Sequence, residues 1–137
     1  MLAVMQENSP HTSRCLNEFA EFNYIVAEGL RHARRYGEPL SVLRIRVDED
    51  ADRFANLVLR FALRQTDVSA TLGNGDFAVL LPATDFFDAT VVAEKLRSLA
   101  EMSIGVASSE DEPDSLMQRA EQALTKAAAR GGDRVCF

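Results

Sequence analysis

Apolar residues in the first quarter of the chain recur at intervals of three and four residues, which is the spacing of one helix face. Thr12 or Ser13 can cap such a helix, and Gly37 lies just beyond its basic last turn, so a helix is predicted to about Tyr36. In residues 43–47, apolar side chains alternate with two arginines. This alternation predicts a strand with one polar face.

The middle of the chain predicts a helix followed by a hairpin. Residues 49–63 carry apolar side chains at helical spacing, and residues 68–72 alternate as a strand does. The turn Gly73–Asp76 contains Asn-Gly, the strongest short signal for a hairpin. The apolar run 77–81 is therefore predicted as the second strand of that hairpin.

The last third of the chain again alternates between helix and strand. Asp85 can cap a third helix, residues 102–107 are predicted as a strand, and Pro113 begins a fourth helix that Gly131 ends. Residues 134–137 form a last short strand. After the first helix the order is strand-helix-strand-strand-helix-strand, then a helix and a strand. This order predicts an α/β (α+β), ferredoxin-like fold, whose five-stranded sheet is mostly antiparallel with helices packed around it.

The composition is that of a globular protein, with 47% hydrophobic and 26% charged residues. At 137 residues the chain is expected to form one domain, residues 14–137, after a tail of residues 1–13. No apolar run suffices for a membrane span and no export signal is recognised, so a cytoplasmic protein without direct membrane insertion is expected. The net charge of −6 disfavours a nucleic-acid polymer as partner. Cys15 and Cys136 are interpreted as reduced core thiols.

Five stretches of the chain resemble, in the same order, the GGDEF family of diguanylate cyclases. They are Tyr36–Ser41, Gly73–Pro82, Ala93–Arg97, Ser103–Ala107 and Ala120–Val135, and the similarity extends from about residue 16 to residue 137. The resemblance implies the GGDEF palm fold. It also implies that Gly73–Phe77 stands where the family has Gly-Gly-Asp-Glu-Phe. In active members, two metal ions activate a hydroxyl and neutralise a triphosphate while two GTP molecules are joined.

The residues that the resemblance assigns to this chemistry are largely replaced. Arg46 stands where the first metal-binding carboxylate is expected, and its positive charge would repel a divalent cation. In the signature turn, Asn74 replaces the second glycine, Gly75 replaces the aspartate, and Asp76 alone keeps a carboxylate. The resulting degenerate active site consists of Arg46, Gly73, Asn74, Gly75, Asp76 and Phe77.

The resemblance implies further losses in the nucleotide-binding residues. Ala128 and Gly132 stand where a lysine and an arginine would hold phosphate, and residues 49–63 are too few for a guanine-recognition segment besides a helix. We therefore predict that the chain is not an enzyme and has no catalytic residue, metal site or cofactor. An alternative is that Arg44 and Arg46 hold a nucleotide phosphate without metal, although solvated arginines, or pairs with nearby aspartates, explain them as well.

Arg64 and Asp67 match the Arg-x-x-Asp motif that forms the product-binding, inhibitory site of the family. A guanidinium can donate a bidentate pair to O6 and N7 of guanine, and a carboxylate can accept from N1 and N2 on the opposite edge. The resemblance adds Lys95, with Arg97 two residues on, as further basic contacts to phosphate. The competing interpretation is a surface salt bridge at Arg64 and a solvated helix face at Lys95.

The leading hypothesis from the sequence is a non-catalytic receptor module for cyclic di-GMP. It resembles the reduced GGDEF half of the Pel exopolysaccharide receptor, which also keeps an Arg-x-x-Asp motif. Because an intercalated dimer of cyclic di-GMP presents four guanines, a homodimer or a second protein domain is expected to complete the site. The rival hypothesis is a nucleotide-free pseudoenzyme that serves as a dimerisation or protein-docking domain, with an apolar patch on the first helix.

Overall fold

A computed structural model describes residues 14–16, 19–47, 53, 58, 62–73, 75–109 and 115–137. Within these residues the chain forms six strands and three helices. The strands are β1 (Arg14–Leu16), β2 (Leu40–Val47), β3 (Val68–Gly73), β4 (Asp76–Pro82), β5 (Met102–Ser108) and β6 (Val135–Cys136). The helices are α1 (Phe19–Tyr36), α2 (Phe86–Arg97) and α3 (Leu116–Ala129).

The strands form one mixed sheet in the order β1-β3-β4-β2-β5-β6. The four inner strands are antiparallel to their inner neighbours, while β1 and β6 are parallel to β3 and β5 at the two edges. The inner order β3-β4-β2-β5 is that of the ferredoxin-like fold with its helices on the sheet. The predicted fold class is confirmed, and the five predicted strands are all present in the sheet.

The predicted start of the first helix is wrong. Arg14–Leu16 is the edge strand β1, which pairs with Val68–Ala70 of β3, and α1 begins at Phe19. A three-residue strand is too short to show an alternation in the sequence, and it is stabilised by hydrogen bonds to a strand more than fifty positions away. Residues 1–13, including the cap predicted at Thr12 or Ser13, lie outside the described residues.

Most of the helix predicted over residues 49–63 also lies outside the described residues. Of its apolar positions, Val58 is described and is 2% exposed. Val58 belongs to the core beside Ala62 and Leu63, and the Leu63 amide donates to the Val58 carbonyl at 3.3 Å. Leu63, which packs against this core, directly precedes residues 64–67.

Both faces of the sheet are covered, so β2 is buried on both sides. Leu43, Ile45 and Val47 pack with α2 on one face, and Leu40 and Val42 pack with α1 and α3 on the other. Close packing of α3 depends on Gly105 of β5, where an added Cβ would lie 2.3 Å from the Ala120 carbonyl oxygen. Cys136 is a buried free thiol in this layer. Among the described helices, none combines the length and apolar character that a membrane crossing requires.

Candidate functional site

The hairpin predicted at Gly73–Asp76 is confirmed as the connection between β3 and β4. Gly73 and Asp76 are partners across the hairpin, and the register shifts between Thr71 and Gly73. Gly73 has φ +92° and Gly75 has φ +82°, backbone conformations that a residue with a Cβ adopts only with strain. Asn74 lies outside the described residues.

Gly75 is also enclosed by the end of β2. Its carbonyl oxygen accepts from the Val47 amide at 2.9 Å, and a Cβ at Gly75 would lie 2.2 Å from the Val47 carbonyl oxygen. A carboxylate at this position, as the resemblance would require, does not fit this backbone. The shape of the turn therefore requires glycine at position 75.

The remaining carboxylate of the turn is paired with an arginine. Arg46 and Asp76 are direct partners between β2 and β4, and Arg46 Nε donates to Asp76 Oδ1 at 2.9 Å. Their side chains are 48% and 26% exposed. A cation therefore occupies the position next to the one carboxylate of this site, which opposes binding of a divalent metal.

Phe77, the last residue of the signature, has its side chain in the core at 3% exposure. Among the described residues, no group of three or more histidine, cysteine, aspartate or glutamate side chains is arranged to hold a metal ion.

Arg44 does not project into solvent as the prediction of a polar face required. Its side chain is 9% exposed, and Nη1 lies 3.9 Å from Oε1 of Glu121 on α3, while its Nε is buried without a hydrogen-bond partner. Alternation along β2 was correct, but α3 covers the face on which Arg44 lies. The two arginines of β2 therefore have different surroundings, and they do not form a joint open phosphate site.

Arg64 and Asp67 are brought together at the other end of the hairpin, just before β3. Asp67 Oδ2 accepts from the Arg64 backbone amide at 2.8 Å, and Asp67 Oδ1 accepts from Arg64 Nη2 at 2.9 Å. The Asp67 amide in turn donates to the Arg64 carbonyl at 3.0 Å. The motif thus forms a closed turn in which the carboxylate stabilises both the backbone and the guanidinium.

The arrangement of this pair differs from the predicted grip on two edges of a purine. Asp67 is 2% exposed, whereas the Arg64 side chain is 55% exposed. A carboxylate that is buried and already accepts from an amide and a guanidinium has no face open to the N1 and N2 hydrogens of guanine. Of the two residues that define the motif, Arg64 is exposed and Asp67 is buried.

Thr84 and Pro82 complete this site and were not identified in the sequence. Arg64 Nη2 donates to the Pro82 carbonyl at 2.9 Å and to Thr84 Oγ1 at 2.7 Å. Thr84 is 4% exposed and follows Ala83, whose φ is +50°. These contacts join positions about twenty residues apart, so no local pattern in the sequence predicts them.

Lys95 and Arg97, the second basic pair, are not among the hydrogen-bond partners of Arg64. Arg97 Nε donates to Glu94 at 3.0 Å, and Arg97 Nη1 lies 3.6 Å from Asp133; the hydrogen bond and charge of Glu94 raise the pKa of Arg97. Lys95 is exposed and has no side-chain partner among the described residues.

No protein-family model matches the sequence. Among curated proteins, the chain is 34% identical over 99 residues to the uncharacterized protein YhcK of Bacillus subtilis. The match covers 59% of this chain and 28% of YhcK, so the chain spans less than a third of that relative's length.

Solved GGDEF domains have the same fold as this chain. The GGDEF domain of TpbB (YfiN) from Pseudomonas aeruginosa is 28% identical, with a TM-score of 0.76 over 89% of this chain and 91% of that one. An active GGEEF domain of a diguanylate cyclase from Vibrio cholerae is 20% identical, with a TM-score of 0.71 over 89% and 96%. The GGDEF domain of Caulobacter crescentus DgcB, solved with cyclic di-GMP, is 18% identical, with a TM-score of 0.71 over 84% of each chain. The chain is therefore similar in fold to the GGDEF domains of diguanylate cyclases.

Proposed function

We propose that this chain is a degenerate GGDEF domain that makes no cyclic di-GMP and binds it at Arg64 as a receptor module. The observation that carries the proposal is a contrast between two arginine–carboxylate pairs. At the signature turn, Arg46 neutralises Asp76, the carboxylate that the metal chemistry would need. At the other end of the hairpin, Asp67 is buried and holds an exposed Arg64 in place.

Loss of synthesis follows from charge and shape. Two metal ions need carboxylates to hold them near the triphosphate. Arg46 opposes a cation at this turn, and the Gly75 backbone does not admit a side chain. We expect no conversion of GTP to cyclic di-GMP by the purified chain with Mg²⁺ or Mn²⁺, measured by chromatography beside an active diguanylate cyclase. Any conversion above the enzyme-free background would contradict this part of the proposal.

Binding of cyclic di-GMP is supported by the presence of the Arg64–Asp67 motif and by the hydrogen bonds that hold the Arg64 side chain in one orientation. An arginine that is held in one orientation before the ligand arrives loses little side-chain entropy on binding. Arginine also stacks on purine faces and pairs with phosphate. DgcB, whose fold this chain shares, was solved with cyclic di-GMP. A reduced domain that keeps this motif also resembles the GGDEF half of the Pel exopolysaccharide receptor.

Calorimetric titration with cyclic di-GMP tests the receptor role. We expect saturable binding by the wild type and a loss of roughly tenfold or more in Arg64→Ala, because a charged hydrogen-bond donor and a stacking surface are removed. Arg31→Ala is a matched control, since Arg31 forms an exposed i,i+3 pair with Glu28 on α1. The control should bind as the wild type does. No binding by the wild type, or equal binding by Arg64→Ala, would refute the receptor role.

A docking role is the second candidate, and one observation favours it. Phe87 and Val91 are 71% and 53% exposed and lie one turn apart on the outer side of α2. The exposed aromatic residues of the first helix do not form the expected patch. At about 100° per residue, Tyr24 and Tyr36 lie about 140° and 260° around the helix axis from Phe19, so the three side chains face different directions. Sedimentation at increasing concentration, with Phe87→Ser as the variant, tests self-association through α2. A monomer at all concentrations would exclude a homodimer.

A further inference from the structure

The outer edge of β5 is covered over part of its length. β6 pairs with β5 at Ile104 and Gly105 in parallel register, whereas β5 continues to Ser108. No described strand pairs with residues 106–108 on this outer side, while β2 pairs with them on the inner side. The uncovered stretch is about 10 Å long at roughly 3.3 Å per residue. An unpaired strand edge is a template to which a further strand can add.

The hydrogen bonds of β6 show which backbone groups face this edge. The Ile104 amide donates to the Arg134 carbonyl at 2.9 Å, so Ile104 directs its backbone groups outward. Because this direction alternates along a strand, Val106 and Ser108 do the same, while Ala107 faces β2. A strand added in line with β6 would therefore meet Val106 and Ser108 with the backbone groups of its residue opposite Ala107.

The open edge lies in a groove of about 610 Å³ whose α3 side is basic. α3 contributes two cations to the lining, Arg119 and Lys126. Arg119 Nη2 donates to the Ser108 carbonyl at 2.8 Å, and Lys126 Nζ donates to the Phe137 carbonyl at 3.0 Å. None of the described residues that line the groove carries a carboxylate. In a chain with a net charge of −6, this groove is a local site of positive charge.

The α2 side of the same groove is apolar. Phe86 of α2 packs edge-to-face against Phe137, with the ring centroids 4.9 Å apart. Phe86 also packs against the core cluster that contains Val106. Phe137 is 65% exposed, so part of this aromatic surface is open to a further side chain. The two sides of the groove therefore favour different side chains, an acidic one toward α3 and an apolar one toward α2.

We propose that this groove binds an extended segment of a partner protein in which acidic and apolar residues alternate. Main-chain hydrogen bonds to β5 supply affinity in such strand addition, and alternate side chains supply specificity. Ala107 packs in the α3 layer, so the residue opposite it would direct its carboxylate toward Arg119 and Lys126. The next residue would direct an apolar side chain toward Phe86. Binding here does not depend on cyclic di-GMP binding at Arg64.

A capped, fluorescently labelled six-residue peptide of alternating glutamate and valine is the probe. Fluorescence anisotropy at low salt should show saturable binding to the wild type. A peptide with lysine in place of each glutamate should bind roughly tenfold more weakly or less well still, because like charges meet in the groove. Backbone amide signals of residues 106–108 should move in nitrogen-15 NMR spectra as the glutamate peptide is added. No binding of the glutamate peptide, or equal binding of the two, would overturn the proposal.

Reversal of one groove charge tests where this selectivity arises. Lys126→Glu should weaken binding of the glutamate peptide roughly tenfold and strengthen binding of the lysine peptide. Arg35→Glu makes the same charge change at an exposed position of α1 and should leave both affinities within about twofold. Equal effects of the two variants would mean that net charge, and not the groove, selects the peptide. The peptide comparison on wild type needs no variant, so misfolding of Lys126→Glu does not remove the test.

Methylation of the peptide's backbone nitrogens tests strand addition itself. In parallel register, the glutamate N–H groups face β5 and the valine N–H groups face away from it. N-methylation of the glutamates should therefore abolish binding, whereas N-methylation of the valines should leave it unchanged. If both methylated peptides bind like the parent, the groove holds carboxylates without adding a strand, and the proposal is wrong. It is also wrong if the chain forms a dimer in sedimentation that excludes the peptide, because a second copy then occupies the edge.

Discussion

The two ends of β4 each carry an arginine–carboxylate pair, and the two pairs differ in burial and in the number of their contacts. At Asp76, the first residue of β4, the carboxylate is 26% exposed and accepts a hydrogen bond from Arg46 Nε. At Pro82, the last residue of β4, the Arg64 guanidinium meets Asp67, a backbone carbonyl and Thr84. Asp67 is 2% exposed.

The difference shows that the same two residue types have different roles when their burial differs. An exposed pair between two strands contributes little stability, so Arg46 acts mainly by placing a positive charge beside Asp76. A buried carboxylate with several donors is costly to disturb, because each donor would lose its partner. The Arg46–Asp76 pair is thus a surface pair, whereas the Arg64–Asp67 pair has its carboxylate buried in the fold. The following predictions test this contrast, from the largest expected effect to the smallest.

Gly75→Ala should lower the free energy of unfolding by about 3 kcal/mol or more, measured by denaturant unfolding. Alanine is strained at the positive φ of this position, and its Cβ would also collide with the Val47 carbonyl oxygen. Gly73→Ala is the matched control: it shares the positive φ, but nothing lies within 4 Å of its added Cβ. That control should cost about 1–2 kcal/mol. Equal losses in the two variants would show that Gly75 has room for a side chain and that the turn is not closed to the aspartate.

Removing the carboxylate at each end compares the two pairs directly. Asp67→Ala should cost about 2–3 kcal/mol in the free energy of unfolding, because the Arg64 amide and guanidinium lose charged hydrogen bonds to a buried carboxylate. Asp76→Ala should cost less than ~1 kcal/mol, since its partner is half exposed. Urea unfolding of both variants under identical conditions provides the measurement. A larger loss at Asp76 than at Asp67 would reverse the contrast.

Arg46→Ala should have the smallest effect, about 0.5 kcal/mol at low salt, and the difference from wild type should shrink further at ~1 M NaCl as the pair is screened. Thermal unfolding at several salt concentrations gives this difference. A loss that persists unchanged in high salt would mean that Arg46 supports the fold by packing. Such a result would weaken the argument that its charge is what matters at the turn.

Local patterns were sufficient for most of the architecture. The Asn-Gly turn fixed the β3–β4 hairpin, and Asp85 caps α2 as predicted, accepting from the Asp88 amide at 2.8 Å. These signals are local because a turn or a cap is decided by a few neighbouring residues. Edge strand β1 could not be found in this way, because its hydrogen bonds come from β3. Phe86 is half-buried against Phe137, whereas its neighbour Phe87 is exposed, because the two side chains lie on different sides of α2.

The sequence by itself determined the order of the elements, the presence of a single carboxylate, Asp76, in residues 73–77, and the presence of an Arg-x-x-Asp motif. Each of these depends on residue type and on spacing along the chain. Only the tertiary structure decided that Asp67 is buried, that Thr84 holds Arg64, and that Arg44 is covered while Arg46 is not. Burial and side-chain direction are set by which distant elements pack together, and two arginines two positions apart on one strand can therefore have different environments.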